Sequence, residues 1–432
     1  MKQPNYPNSF SPGLLLPTCH LLRALLPIVI LLASSLPGFT MEESVRQEIE
    51  DEATRERESE AAEDPLITRQ TEKTDNPVLH EIMPDRFTLY GSLRLRYRES
   101  QTGTILGDGG SRLGIDDQWQ FKTNYWLLGR LELGFNLLDN LDLIFDPGGQ
   151  GESSFGDDMF TRLAYVGLET PNMFLLYGKN WSTYYQVASF TDRFQGAGAG
   201  ASGTFNAGTD GGPSGTGRAD QVLQTRIQVD HPWGPLSRYN PFSLNVQFQA
   251  GEKIPHAQDI RYNYGIGGSA ILESKDNFKV GIAVNYTNID RDDLRALRLI
   301  GIDNDDLDIL FGAQWFGSKW YVATTFSWLA NHMATEDGIY FDAWGSEGYG
   351  HYQLWEKIWF VGGWNYLEPL KGEQQAGNYI LQYGILGLRY TFNDFKRMIY
   401  ANIRFDRSIL HSTATDTVGN VYTVGIRWDF DW

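Results

Sequence analysis

The side chains in this chain with the clearest chemistry are arginines, and they fall in an alternating register. Arg94, Arg96 and Arg98 alternate with Leu93, Leu95 and Tyr97, while Arg427 and Asp429 alternate with Ile426, Trp428 and Phe430. Arg130 and Glu132 hold the same kind of position within Gly129–Asn136. A guanidinium stays protonated at any relevant pH, so these residues do no acid–base work. What they supply is fixed charge, and rings of fixed charge set ion preference in narrow aqueous passages. The plainer alternative is that each arginine only pairs with a carboxylate, such as Glu132 or Asp192, to hold a wall together.

Other chemistry is poorly supported. The seven histidines are scattered, with no HExxH and no pair at ligand spacing, so no metal site is expected. No GxSxG elbow or Ser/His/Asp order offers a nucleophile, and neither catalysis nor a cofactor is expected. The run Ile302-Asp303-Asn304-Asp305-Asp306-Leu307-Asp308 is rich in oxygen ligands but lacks EF-hand spacing and its closing Glu. It reads as a solvated outer loop, with divalent bridging to lipopolysaccharide as the alternative. Cys19 is the one cysteine, so there is no disulfide framework.

Period-two alternation places these charges on strands. In the first strand Phe87, Leu89, Gly91, Leu93, Leu95 and Tyr97 form one face, and Ser92, Arg94, Arg96 and Arg98 lie on the other. Similar alternation recurs at Phe278–Tyr286, Trp320–Trp328, Trp359–Trp364, Leu386–Phe392 and Ile399–Asp406. A soluble sandwich would turn the apolar face inward. The opposite orientation is favoured because charge recurs on the second face and aromatics gather at strand ends. Short turns (Thr170–Asn172, Gly317–Lys319, Asn393–Lys396) also alternate with long polar loops (Asn288–Asp308, Ala330–Gly338, Leu370–Asn378, Leu410–Asn420). The fold class is therefore all-β, a transmembrane antiparallel β-barrel of about 16 strands with an aqueous interior. The Trp and Tyr residues read as interfacial girdles rather than sugar-stacking platforms.

One segment departs from this rhythm. After Thr161–Glu169, the turn Thr170–Asn172 and Phe174–Lys179, a Gly-rich stretch runs from Ser189 to Gly217. Loops longer than about 12–15 residues are usually functional or disordered, and in a closed barrel such a loop can fold inward and narrow the lumen.

Over 432 residues there are 22 Tyr, 24 Phe, 13 Trp and 46 Gly, a mix that favours strands and turns. The net charge of −18 excludes a nucleic-acid partner, since no basic stripe meets phosphates. Ala24–Ala33, behind Lys2 and Arg23, has the length and flanks of a signal-peptide core. Cleavage is expected between Ser34 and Met41, giving a signal peptide over residues 1–40. Residues 41–85 are charged and poor in apolar side chains, which reads as a flexible acidic periplasmic arm. The alternative is a short helix that self-associates or contacts the cell wall. Residues 86–432 form the barrel domain.

The barrel part of the chain resembles the general porins, the trimeric diffusion channels of Gram-negative outer membranes. Leu89-Tyr90-Gly91, Ser111-Arg112-Leu113-Gly114, Arg162–Leu168, and Tyr177-Gly178-Lys179 with the long loop after it carry the resemblance. It implies wall arginines at Arg112, Arg162 and Arg218, a further basic residue at Lys179, and a loop carboxylate at Asp192. Arg94, Arg96, Arg130 and Glu132 then belong to the lumen wall. No second loop carboxylate is evident where Gln195-Gly196-Ala197-Gly198 stands, and Ser92 occupies a position that is lysine in the family. The resemblance further implies a homotrimer in outer-membrane lipid and lipopolysaccharide, passing ions and small hydrophilic solutes. It also implies recognition by the barrel-insertion machinery through Trp428, Phe430 and Trp432. A substrate-selective channel, for example for oligosaccharides, is the second reading, and a barrel enzyme a remote third.

Overall fold

The structure, a computed structural model, describes residues 85–101, 103–137, 159–196, 198–229, 239–257, 260–274, 277–392 and 396–431. The signal peptide, the acidic arm up to residue 84 and the terminal Trp432 lie outside the described residues.

Strand segments follow one another in simple order. The first nine are β1 (Asp85–Ser100), β2 (Gly103–Asp108), β3 (Arg112–Lys122), β4 (Tyr125–Phe135), β5 (Met159–Glu169), β6 (Met173–Trp181), β7 (Arg218–Val229), β8 (Tyr239–Ala250) and β9 (Tyr262–Ser274). After these come β10 (Phe278–Ile289), β11 (Asp306–Gly317), β12 (Trp320–Ala334), β13 (Tyr340–Trp355), β14 (Ile358–Pro369), β15 (Leu381–Thr391), β16 (Arg397–Asp406) and β17 (Val421–Asp431). Each pairs antiparallel with its neighbour, and β1 closes on β17 from Tyr90↔Asp431 to Glu99↔Tyr422. The 17 segments fill 16 positions around the barrel, because β2 and β3 are two pieces of one strand along β1. Closure leaves no unpaired edge, which a sheet in lipid requires.

Alternation decides what faces where. Phe87, Leu93, Tyr97, Ile426 and Trp428 are exposed on the outside, as are Phe311, Phe326, Leu386 and Phe405 further round. Their inward neighbours Ser92, Gln314, Thr325 and Asn402 are buried. Apolar out and polar in is the sense expected for a barrel in lipid. Close packing on this jacket uses absent side chains: Phe430 lies over Gly91, where a Cβ would come within 2.6 Å of its ring.

The segment between β6 and β7 turns into the lumen, as expected. It begins with a single helical turn, α1 (Tyr185–Ala188), whose residues are all buried. Beyond that it has almost no regular structure, so the wall must satisfy its backbone. Glu347 accepts from the N–H groups of Ala201 and Ser202 at 2.7 and 2.9 Å and from Thr191 Oγ1 at 2.6 Å. Wall amides donate to loop carbonyls: Gln247 to Gly215 (2.8 Å), Gln249 to Gly212 (2.7 Å), Asn285 to Ser214 (2.9 Å) and Asn402 to Gln195 (3.1 Å). Phe190 and Phe194 pack with Tyr321, Tyr349 and Tyr383 in an apolar cluster between loop and wall.

The run at Ile302–Asp308 is a solvated loop only in part: Asp303 and Asn304 are exposed as expected, and the rest is not. Ile302 is buried, and Asp306 and Asp308 open β11 with side chains facing the interior at 0% exposure. The reason is packing from above. The helix α2 (Leu294–Leu299) is capped by Asp293, which accepts from Arg295 N and Ala296 N. It sets Leu297 and Ile302 against Ile254, Ile260, Tyr262 and Tyr340.

On the same rim, His411 in the β16–β17 loop reaches the β12–β13 turn. Its Nδ1 lies 2.7 Å from Asp337 and its Nε2 2.9 Å from Glu336. The hydrogen bond to Asp337 raises the imidazole pKa above its ordinary value, and bonds from His411 and Ser412 lower that of the Asp337 carboxyl. A histidine raised on folding contributes fully below its unfolded pKa, and the contribution fades as pH rises through the folded value. The depressed carboxylate sets the lower bound, its contribution fading as pH falls through its own folded value. Histidine hydrogen–deuterium exchange by mass spectrometry should place the His411 midpoint above about 6.5, returning toward that value in Asp337→Asn. An unshifted midpoint in the native chain would show that the two loops are not linked.

The jacket makes its own prediction. Trp428→Asp with Phe430→Asp places charge on the lipid face and removes two of the aromatics at the end of the last strand. Outer-membrane levels of the double variant should fall to a small fraction of the native level. Native levels would contradict the assigned faces.

Candidate functional site

The constriction is built from irregularities in the ladder. Strand β3 restarts at Arg112 after the break at Gly109–Ser111, where Arg94 N donates to Ser111 Oγ at 2.9 Å. In the β4–β5 ladder Glu132 pairs with Leu163 and Leu133 with Thr161, so Arg162 is the extra residue of a β-bulge. A bulge re-aims side chains, and both Arg162 and Leu163 are buried on the inside while Phe160 and Val166 stay outside. The expected unbroken alternation over Thr161–Glu169 thus fails at Arg162. A second bulge lies between β6 and β7, where Gly178 pairs with Val222 and Asn180 with Ala219. Gly178 takes φ +140° there, and a Cβ would come within 2.2 Å of the Ala164 carbonyl. Lys179 and Asp220 are left out of the ladder, and they meet at 2.7 Å.

These devices gather the wall charges. Glu132 receives Arg162 Nε at 2.7 Å, has Arg112 Nε at 3.8 Å and accepts from Tyr90 Oη at 3.2 Å. Tyr90 reaches it by lying across Gly114, where a side chain would collide with its ring. Arg130 pairs with Asp116, and its guanidinium lies 5.1 Å from the Tyr90 ring centroid. Arg218 lies over Trp181 and 3.3 Å from Asp210, and Lys179 is 3.1 Å from the same carboxylate. Four cations therefore meet Glu132, Asp210 and Asp220. Further round, Arg94 Nε donates to Ser92 Oγ at 2.7 Å, and Ser92 Oγ and Arg427 share Asp429. Arg96 stands beside loop residue Gly196, and Arg404 pairs with Asp406 at 2.7 Å.

Asp192 sits in a different relation to the wall. It accepts from Tyr185 Oη at 3.0 Å, and Tyr185 stacks on Trp181 at 3.8 Å, on which Arg218 also rests. Asp210 was not singled out from the sequence, although it is the loop carboxylate that meets Lys179 and Arg218. Its one signal was an acid eight residues before Arg218 in a stretch otherwise made of Gly, Ser, Thr and Pro.

The two halves of the lumen differ. Where the loop lies on the wall, side chains are sealed: Glu347 and Asn285 are 1% exposed. Along the charged half, wall residues Arg404 and Asp220 and loop residue Asp210 keep side-chain exposures of 23%, 25% and 27%, and Arg112, Arg162, Arg218 and Glu132 keep 12%, 10%, 12% and 7%. The inward aromatics Tyr321, Tyr349 and Tyr383 are buried against loop residues Phe190 and Phe194, so these three offer no stacking surface to a sugar. Trp428 and Phe430 lie on the outer face near the strand terminus, and Trp432 is outside the described residues.

No protein-family model matches the chain, and no curated protein matches it in sequence. Solved structures do match. OmpF of Salmonella typhi, in complex with daunomycin, aligns with a TM-score of 0.62 at 19% identity, covering 80% of this chain and 98% of its own. An anion-selective porin from Comamonas acidovorans aligns at 0.56 with 14% identity, over 80% of this chain and 100% of its own. OmpT, an outer membrane protein of Vibrio cholerae in its trimer form, aligns at 0.52 with 15% identity, over 81% and 100%. Likeness at such low identity speaks for architecture alone, and the architecture is that of the outer-membrane porins.

Proposed function

We propose that the chain is a passive, water-filled diffusion channel of the outer membrane for ions and small hydrophilic solutes, with no catalysis. One observation carries this reading: the inner loop seals one half of the lumen and leaves a charged, solvent-reached wall along the other. Arg112, Arg162, Lys179 and Arg218 gather on that wall around Glu132, Asp210 and Asp220, and we read this stretch of the passage as net positive. In a narrow aqueous path that favours anions, and fixed charge acts within a Debye length of about 8 Å. The covered aromatics argue against the oligosaccharide-selective alternative. OmpT of Vibrio cholerae is described in a trimer form, and on that likeness we read the present chain as a homotrimer. Lipopolysaccharide around the barrel and the barrel-insertion machinery acting on the last strand complete the set of partners.

Planar-bilayer recordings under a salt gradient test the reading. Arg112→Ser with Arg162→Ser and Arg218→Ser should shift the reversal potential toward cations, and Glu132→Gln should shift it toward anions. Native reversal potentials in both would remove these residues from the conduction path. Glu347→Ala removes three hydrogen bonds to a charged acceptor, worth on the order of 1.5–3 kcal/mol each. It should free the loop and change conductance and open-channel noise. An unchanged channel would show that the loop does not bound the path.

A further inference from the structure

On the sealed side of the lumen, three potential metal ligands meet from two strands. Asp306 and Asp308 sit two residues apart on the inner face of β11, and His332 faces them from β12. All three side chains are fully buried, and their ligand atoms lie within 4.8 Å of one another. His332 Nδ1 stands 3.1 Å from Asp306 Oδ2 and 3.0 Å from Asp308 Oδ2. The other ring nitrogen, Nε2, is 2.6 Å from the carbonyl of loop residue Gly203. A carbonyl only accepts, so Nε2 carries a proton and donates.

Two observations point to a bound cation. No hydrogen bond of regular geometry reaches either oxygen of Asp308, which is completely buried with His332 Nδ1 3.0 Å away. Tyr262, within electrostatic reach of both aspartates, also has an unpartnered buried hydroxyl. Were both carboxylates ionised beside a single imidazolium, the dry site would carry net negative charge, which is costly. A divalent ion would balance two carboxylates and a neutral imidazole.

We propose that Asp306, Asp308 and His332 bind a divalent first-row transition metal such as Zn²⁺, with His332 ligating through Nδ1. Arms of roughly 2.0–2.2 Å to imidazole and carboxylate give tetrahedral edges of roughly 3.3–3.6 Å, close to the separations from Nδ1. Nitrogen in the set disfavours Ca²⁺ and Mg²⁺, which take oxygen ligands. The Nε2–H bond to Gly203 is the outer partner that a ligating histidine usually has, and it fixes the tautomer. Here that partner belongs to the inner loop, so the ion would pin the loop to the wall through His332.

The test uses the full chain refolded in detergent with a chelator, then given Co²⁺ or Zn²⁺ and freed of excess by buffer exchange. Wild type should retain about one ion per chain, and Co²⁺ should give the visible d–d absorption of a low-coordinate site with nitrogen and oxygen ligands. Asp308→Asn and His332→Gln should each lose at least tenfold in affinity while keeping the heat-modifiable mobility of a folded barrel. His411→Gln, which removes the exposed histidine–carboxylate group on the rim, should keep the ion. Should the variants misfold, the wild-type Co²⁺ spectrum decides alone. No retained ion and no d–d band in folded wild type would overturn the proposal, and so would retention that survives in both site variants.

Discussion

A long segment without regular secondary structure lies inside this barrel, and every buried N–H and C=O along it needs a partner. Leaving one unmade costs on the order of 1–3 kcal/mol, so the loop cannot lie against an apolar or sparsely polar wall. The inner face of β8 to β16 answers that need residue by residue. Gln247, Gln249, Asn285 and Asn402 donate to loop carbonyls, while Glu347 accepts from two consecutive loop amides. Amides and hydroxyls at these inward positions are therefore the complement of one particular loop path. Glu347 shows the dependence most clearly, since at 1% exposure the loop supplies much of what holds its carboxylate.

That complementarity explains why the lumen is asymmetric. Neutral amides hold the loop backbone over Gln195 and Gly212–Gly215, and cations meet it at Gln186, Arg193 and Asp210. The charged half is also where the ladder breaks: a strand interruption before Arg112, a bulge at Arg162 and a second bulge at Lys179 and Asp220. Each break lets a side chain leave the strict in–out alternation and reach a partner on the neighbouring strand. Glu132 can be shared by Arg112 and Arg162 because the bulge turns Arg162 inward beside Leu163.

Much of the architecture was legible in the sequence because it rests on local rules. Period-two alternation at Phe87–Tyr97 and Tyr422–Phe430 determines which face meets lipid, and the Gly-rich stretch marked a connection long enough to enter the lumen. What was not legible depends on contacts remote in sequence. Asp306 and Asp308 looked like part of a solvated loop, since nothing nearby shows that His332, held by the inner loop at Gly203, will lie against them. His332 looked solitary because its partners lie 24 and 26 residues earlier on the neighbouring strand. The bulge at Arg162 left no mark either, since a single extra residue shifts the alternation only within a few positions of a short strand.

The ion pairs on the charged wall are better understood through their field than through their contribution to stability. Where solvent reaches a pair, its net worth is about 0–1 kcal/mol, and Lys179, Asp210 and Asp220 keep between 17% and 27% exposure. A wall held mainly by the continuous antiparallel ladder has little need of them. Arginine keeps its charge whether paired or not, so Arg112, Arg162 and Arg218 contribute a fixed positive potential to this wall. Glu132, with side-chain exposure of 7%, is different in kind. It lets two guanidinium groups lie close together, and so concentrates positive charge at the height where the ladder is broken and the loop crosses.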